Sequence, residues 1–580
     1  MGSGRRNTYR ESRGNGTLVV LLDSRRPEAL HLPDSLLAAL THFGIPYRLH
    51  DLARGSLAAD ALLPHRAVVI AQEHLGDAVG AADLRALLQA VQAGLGLINF
   101  DHDLRRYGTA YREALGLVPH GVEAVSRVTT VSTAHFLTWT REPGAGVTFQ
   151  RPAPMTTIRP VGTGDAAGLL VADEAPVLVT RQIGRGRVVQ WLLSPKVWLN
   201  DVLGHARGLD DVFWKGIVWA ARKPFVMKAM PPFVRLRLDD CKGHWQDARD
   251  LVFVDVLNAA GHVPNLGVCM RAVQSSGAQR LKHLFDAGRA DISPHSLQPD
   301  VSLFYGDDEG EYSTARLAEL MREMDDRLHT WGIRPSRVLS DHNHEWSERA
   351  IPFLLERGIT FKMNVTCPGE TWAGVHVDWQ PAPYGQIDYV FDTIPGHPEF
   401  FVAFNHFPTL AAARTTLPGG RFLFDRDGGF GESKWDFLNG LTRSTLGRND
   451  LPAMARRYAT HMRLGLDSLF FGGAITHSHF LRDLAPAELE EVLRQAETLM
   501  PRHPKTYVSY DHIAEYARSK VETHLAAVEV DAHGHVRVTL VGRATVPLQL
   551  YVFRDVDDGV EHRFEWIEAG DAPRHVAFSG

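Results

Sequence analysis

The sequence predicts a multidomain α/β protein, with a doubly wound N-terminal domain, a central distorted (β/α) barrel and a small C-terminal β-sandwich. Three observations predict it. Short apolar runs ending in polar residues alternate with amphipathic stretches over most of the chain, as expected of buried parallel strands joined by crossover helices. After about Val521 the hydrophobic period falls to two, which marks half-buried antiparallel strands. The length, 580 residues, exceeds what one hydrophobic core serves, so about two to four domains are expected.

Residues 1–16, MGSGRRNTYRESRGNG, are polar and glycine-rich and read as a disordered tail. From 17 to 224 the runs TLVVLLD, AVVIAQE and LGLINFD read as strands. Between them SLLAALTHFG and ADLRALLQAVQAG read as helices closed by glycine. PVLVTRQIGRGRVVQWLLS predicts a hairpin turning at Gly184-Arg185-Gly186, and FWKGIVWAARKP a helix stopped by Pro224. From 225 to 520 strand candidates end repeatedly in chemically capable residues: FVRLRLDD, ADISPHS, RVLSDHNH, FFVAFNHF and LFFGGAITHSH. Parallel α/β sheets and barrels build their sites at carboxyl strand ends, so five such endings predict one ring of functional groups. Over 521–580, AAVEVDAHGHVRVTLVG, PLQLYVFRD and EHRFEWIEAG predict the sandwich.

Composition excludes several classes. A net charge of −6 leaves no electrostatic footprint for nucleic acid or an anionic membrane. Cys241, Cys269 and Cys367 are too few and scattered for a disulfide framework or a cysteine-rich zinc module. The apolar run Leu18–Leu22 is too short for a signal-peptide core, and no stretch approaches a spanning helix. The chain is therefore expected to be cytoplasmic, unless its Gly-Ser-Gly start replaces a removed leader.

Asp239 and Asp240 close a strand candidate, where one carboxylate can bind a cation while the other faces substrate; the bland reading is a helix N-cap. His295 follows ADISP, although a lone histidine is more often a core or surface residue. In Asp341-His342-Asn343-His344, His342 and His344 are spaced to share a face, against a reading as two loop histidines. One aspartate and two histidines suit zinc first, with nickel, cobalt or iron as alternatives. Asn405-His406 ends another strand candidate, so His406 is a candidate substrate contact or a plain loop residue. Trp245, Trp372, Trp379 and Trp435 fall in or near loops, where Trp245 and Trp379 are candidates to stack on sugar rings; burial in the core is the competing role. RDGGFGES lacks the lysine of a phosphate-binding loop.

In order along the chain, these residues resemble the motifs of the polysaccharide deacetylase (NodB-homology) superfamily of carbohydrate esterases. LRLDDCKG occupies the place of Thr-Phe-Asp-Asp-Gly, and ISPHSLQPD that of His-Ser/Thr-x-x-His, with Pro299 where the second histidine would stand. SDHNHEW is similar to the Asp-x-His-x-His run of the YdjC-like branch, ITHSHF to the last motif, and HPKTYVSYDHIAEYARS to the closing strand and helix. The resemblance covers roughly 230–520. It implies Asp240, His295 and one of His342 or His344 as metal ligands, Asp239 as general base and His477, or else His479, as general acid. A further Arg and Asp that tune the base are also implied, with Asp378 the nearest candidate for the Asp. The implied reaction is removal of an N-acetyl or O-acetyl group from an amino-sugar oligo- or polysaccharide by metal-activated water. Two alternatives stay open: a metal-dependent glycoside hydrolase on a similar barrel, and a non-catalytic carbohydrate-binding scaffold.

The 15–224 segment resembles the class I glutamine amidotransferase-like domain, which has a flavodoxin-like fold. Its nucleophile turn reads Asn99-Phe100-Asp101-His102, and no cysteine precedes Cys241. Without a thiol there is no nucleophile for amide hydrolysis, so a scaffold or homo-oligomer interface is the expected role.

Overall fold

The computed structural model describes residues 9–160, 168–199, 202–205, 208–242, 248–298, 301, 303–306, 310–340, 342, 347–362, 371–372, 375–376, 391–394, 397–403, 436–438, 441–442, 447–557 and 559–568. The chain forms two compact units, one of residues 8–230 with 519–580 and one built on 231–518. The architecture is mixed α/β with several sheets of parallel strands.

The first unit centres on a six-stranded sheet in the order Tyr47–Asp51, Leu18–Leu22, Ala67–Ile70, Gly96–Asn99, Gly186–Trp191, Leu178–Ile183. The first five strands run parallel and the last antiparallel. Its closing hairpin turns through Gly184 at φ 58°, where a Cβ would lie 2.5 Å from the Gln92 carbonyl oxygen; only glycine meets both demands. Leu84, Leu87 and Val91 of helix Ala81–Gln92 point into the core, as their spacing on one helical face dictates.

The turn after Gly96–Asn99 is a buried polar knot. The Asn99 amide donates to Tyr111 Oη at 3.0 Å and Gln190 Oε1 at 2.9 Å, and the Tyr107 hydroxyl donates to Asp101 at 3.0 Å. Glu73, which follows Ala67–Ile70, receives the Ser194 hydroxyl, His102 Nε2 at 3.3 Å and Lys196 Nζ at 2.8 Å. Burial opposes its charge, but these donors outweigh it and pull the Glu73 carboxyl down to about 2.

One expectation for this unit needs correction and a second is not confirmed. Residues 9–16 are not a loose tail: Arg13 exchanges backbone hydrogen bonds with the Thr523–Val530 strand, and the Ser12 hydroxyl donates to the Leu525 carbonyl. The composition is that of a tail, but an edge some 500 positions away supplies the backbone partners. Among the described residues, the C-terminal strands do not show a sandwich. Thr523–Val530 pairs with Val536–Gly542 and, through a parallel bridge at Ala527, with Arg13, while Leu548–Val556 lies between Gly559–Ile567 and Phe225–Met227. Alternation specifies a strand face, not the sheet that receives it.

The second unit carries a parallel sheet in the order Asp291–Ser296, Asn265–Cys269, Phe233–Cys241, Phe471–His477, with Thr506–Tyr507 beside Phe233–Val234. A second sheet holds Val338–Leu339, Phe361–Lys362, His397–Ala403 and Phe391–Ile394. Helices Ala248–Ala259, Ser275–Asp286, Thr314–Trp331, Leu451–Asp467 and Pro486–Thr498 alternate with the strands as the periodicity predicts. The two sheets are not seen to close into a barrel among the described residues. Asn265–Cys269, a strand that the sequence pattern does not reveal, lies between the two that carry Asp240 and His295.

The main sheet has two unlike faces. Leu236, Leu238, Leu266, Val268 and Ile292 pack with Leu257, Leu281, Leu284 and Val492 in an apolar core. Alternate residues face the other way, and Arg235, Arg237, Asp239, Asn265, Cys269, Ser293 and His295 form a polar layer that is nonetheless buried. Burying that many polar groups is costly unless each is partnered. The site lies at the carboxyl end of this layer.

Candidate metal centre

Strand register explains how chain-distant residues meet. Leu238 pairs with Leu266 and Cys241 with Val268: three steps on one strand answer two on its neighbour, so Asp239-Asp240 bulge opposite Gly267. In the next pair Val268 opposes Pro294 and Cys269 opposes Ser296, leaving His295 as the extra residue. A bulge breaks alternation and re-aims a side chain. Asp240 also takes φ 58°, a left-handed conformation that asparagine and aspartate tolerate best among non-glycine residues and that concentrates at functional sites. His342 follows the short strand Val338–Leu339.

Asp240, His295 and His342 offer one ligand atom each, all within 4.8 Å of one another. Asp240 Oδ1 lies 3.3 Å from His295 Nε2 and 3.5 Å from His342 Nε2. His295 Nδ1 is 2.6 Å from the Ser340 carbonyl oxygen. A carbonyl only accepts, so Nδ1 carries the proton and Nε2 presents its lone pair to the carboxylate. Buried His295 Nε2 has no hydrogen-bond partner among the described residues, and neither has His342 Nδ1. One carboxylate oxygen facing two imidazole nitrogens needs positive charge between them. A single proton bridges one pair; a cation satisfies all three atoms. The 3.3 and 3.5 Å spans match the edges of a tetrahedron with metal–ligand bonds of about 2.0–2.2 Å. These residues fit a divalent metal.

The electrostatics agree. Burial opposes the Asp240 charge, yet the adjacent imidazole of His295 and the fields of His477 and His342 hold its carboxyl well below the usual range. Burial, reinforced by the neighbouring His295, pushes the His342 imidazole down to about 4, so its lone pair is available at neutral pH. Burial also opposes charge on His295, but Asp239 and Asp240 reverse the sign and raise it.

Two further pairs flank the triad. Asp239 is buried and gripped by Arg237, Nε to Oδ1 at 2.5 Å and a terminal nitrogen to Oδ2 at 2.7 Å, and receives the Ser340 hydroxyl at 3.3 Å. Burial alone would raise its pKa; the Arg237 charge and hydrogen bond keep it lowered and the group ionised. On the adjoining strand His477 Nδ1 donates to Asp436 Oδ2 at 2.7 Å, and the His477 backbone N–H donates to the same oxygen at 2.9 Å. His479 lies farther out, its Nδ1 3.8 Å from Asp240 Oδ2.

Beneath the centre sits Gly267. A Cβ there would lie 3.0 Å from Asp239 Oδ1 and 3.1 Å from both His295 Nδ1 and Ser340 Oγ. The strand thus brings its backbone close to three groups of the site because it carries no side chain at that point.

The structure brings together Asp239, Asp240, His295, His342, His477 and His479. His344, Trp245, Trp379 and His406, with Asp378, Asn405 and Trp435, lie outside the described residues. Sequence reasoning missed Arg237, Asp436, Gly267, Cys269 and Ser340. Arg237 left a signal: in FVRLRLDD every second residue from Arg235 is charged, which is foreign to a strand buried between apolar layers. Asp436 left none.

No family model and no curated protein matches the chain. Among solved structures it is similar to an exo-β-1,4-mannosidase of Opitutaceae bacterium strain TAV5, at 14% identity and TM-score 0.22 over 30% of this chain and 31% of that one. It is also similar to a β-galactosidase of Rahnella sp. R3, at 17% identity and TM-score 0.23 over 31% and 29%. A cytoplasmic protein of Salmonella typhimurium is covered over 100% of its length by 36% of this chain, at 13% identity and TM-score 0.27. The chain thus spans about a third of the two glycosidases. No helix among the described residues is long and apolar enough to cross a membrane.

Proposed function

We propose that the 231–518 unit is a metal-dependent hydrolase that removes acetyl groups from an amino-sugar oligo- or polysaccharide, with zinc as its metal. The observation that carries this reading is the convergence of Asp240, His295 and His342 on one point, between a carboxylate held by arginine and a histidine held by aspartate. A bound divalent cation supplies a water of pKa about 7 and polarises the acetyl carbonyl.

The remaining work falls to side chains. Asp239 is ionised, and its oxygens keep lone-pair directions beyond those used by Arg237, so it accepts the proton of the attacking water. Arg237 and Ser340 fix its orientation. Asp436 accepts from His477 Nδ1–H, which orients the ring and stabilises the imidazolium; its second proton, on Nε2, is the one given to the departing amine. His479, more exposed at 33% of its side chain, is the second candidate for that role.

The test is metal content and acetate release from N-acetylated chito-oligosaccharides by wild type and Asp240→Asn. Asparagine tolerates the left-handed backbone, so the variant tests the charge and not the fold. Wild type should bind about one metal ion and release acetate from an intact sugar chain; Asp240→Asn should lose both. New reducing ends would assign a glycoside hydrolase, and metal-independent sugar binding without turnover a scaffold.

A further inference from the structure

The strand between the two bulges carries, two residues beyond Gly267, a side chain that neither the metal triad nor the proton-transfer groups use. Cys269 is fully buried. Its Sγ lies 3.9 Å from Asp240 Oδ1, the oxygen that faces both imidazoles, and it receives the Ser296 hydroxyl at 3.3 Å. A carboxylate only accepts, so this contact uses the thiol proton. Ser296 stands opposite Cys269 because the bulge at His295 shifts the register by one. The same irregularity that turns His295 toward Asp240 therefore installs the hydroxyl that polarises the thiol.

We propose that Cys269 is a positioning residue for the metal aspartate, within the metal-centre reading on which this inference rests. Asp240 occupies a left-handed bulge, and its Oδ1 otherwise meets imidazole nitrogens. The chain Ser296 O–H to Sγ–H to Oδ1 fixes the carboxylate rotamer and aims one oxygen at the space between the histidines; each link strengthens the next. The group of potential ligand atoms comprises Asp240, His295 and His342 and leaves Cys269 outside, so the thiol acts on the ligand and not on the ion. Partners of this kind typically contribute about 10–100-fold to metal affinity.

The test is the affinity of purified full-length protein for zinc and cobalt, by competition with a chromophoric chelator, for wild type, Cys269→Ala and Cys269→Ser. Cys269→Ala should weaken binding by at least about tenfold, and Cys269→Ser, which keeps a donor, should recover most of it. Metal-free unfolding midpoints of wild type and Cys269→Ser should agree, which separates the effect from general damage to the core. The cobalt-loaded wild type should show no thiolate-to-cobalt charge-transfer band. Wild-type affinity in Cys269→Ala overturns the proposal, and so does that band, since it would make sulfur a ligand. A wild type that binds neither metal sinks the metal centre itself, and a metal-loaded wild type that releases no acetate sinks only the reaction.

Discussion

Adding one methyl group at Gly267 should damage the metal centre without touching a ligand's own sequence position. The Cβ of Gly267→Ala would press on Asp239 Oδ1 at 3.0 Å and on His295 Nδ1 and Ser340 Oγ at 3.1 Å, against ordinary contacts of about 3.5–4.0 Å. Each neighbour must retreat by a few tenths of an ångström, and none can do so cheaply. Asp239 is gripped by Arg237, and His295 is tied to the Ser340 carbonyl at 2.6 Å. His295 is the group whose movement matters, because its Nε2 must stay 3.3 Å from Asp240 Oδ1. Overpacking of this kind costs about 1–3 kcal/mol of stability, and misplacing a supporting contact typically costs about 10–100-fold in metal affinity. At a metal concentration about 100 times the wild-type Kd, binding stabilises the fold by about 2.7 kcal/mol; a tenfold weaker site leaves about 1.4 kcal/mol. In a unit of this size that loss lowers the metal-induced rise in Tm by about 2 °C. Thermal unfolding with and without zinc, beside a chelator competition, measures both quantities. A Gly267→Ala protein with wild-type affinity and an undiminished metal-induced shift would refute the claim that backbone proximity at this glycine sets the geometry.

Three other outcomes rest on the contacts of single carboxylates. Asp436→Asn should lower kcat more than KM for acetate release and shift the basic limb of the pH–rate profile downward, because an amide no longer stabilises the His477 imidazolium; an unchanged profile would remove Asp436 from the mechanism. Glu73, pulled from 4.5 to about 2, contributes stability above pH 4.5 that is lost as the pH falls toward 2. The ceiling is about 3 kcal/mol, so Glu73→Gln should unfold more easily at pH 7, with the gap to wild type closing below pH 3; a pH-independent gap would show that only packing is at stake. Asp291, raised to about 7 by burial and the Asp511 charge, has the opposite sign: it costs no stability below pH 4 and progressively more as the pH rises to 7. Its Oδ2 accepts the backbone N–H groups of Tyr510 and Asp511, which an asparagine oxygen can also do. Asp291→Asn should therefore unfold at a higher temperature than wild type at pH 8 and at the same temperature at pH 4.

The parallel sheet of the first unit, its closing hairpin and the βα alternation of the second are written locally, in apolar spacing and glycine placement. So is the candidacy of Asp240, His295 and His342. Polar residues just past buried strands are costly to bury, and their recurrence at several strand ends points to a shared site. The choice between His342 and His344 is different: spacing offers both, and the described structure places His342 against Asp240. The Asn265–Cys269 strand leaves no periodic signature, because NLGVC is short and lies behind Pro264. Too few residues remain for either period to show.

What the sequence alone determined was most of the elements, the Asn265–Cys269 strand excepted, and the chemistry available at their ends, since both depend on neighbours a few positions apart. The tertiary structure alone decided the two adjacent bulges that turn Asp240 and His295 toward each other, the Asp436–His477 pair, and the seating of residues 12–16 against a strand near residue 527. Each of these is a pairing between segments tens to hundreds of positions apart. Register and bulges are properties of two strands taken together, so no window along one of them contains the information.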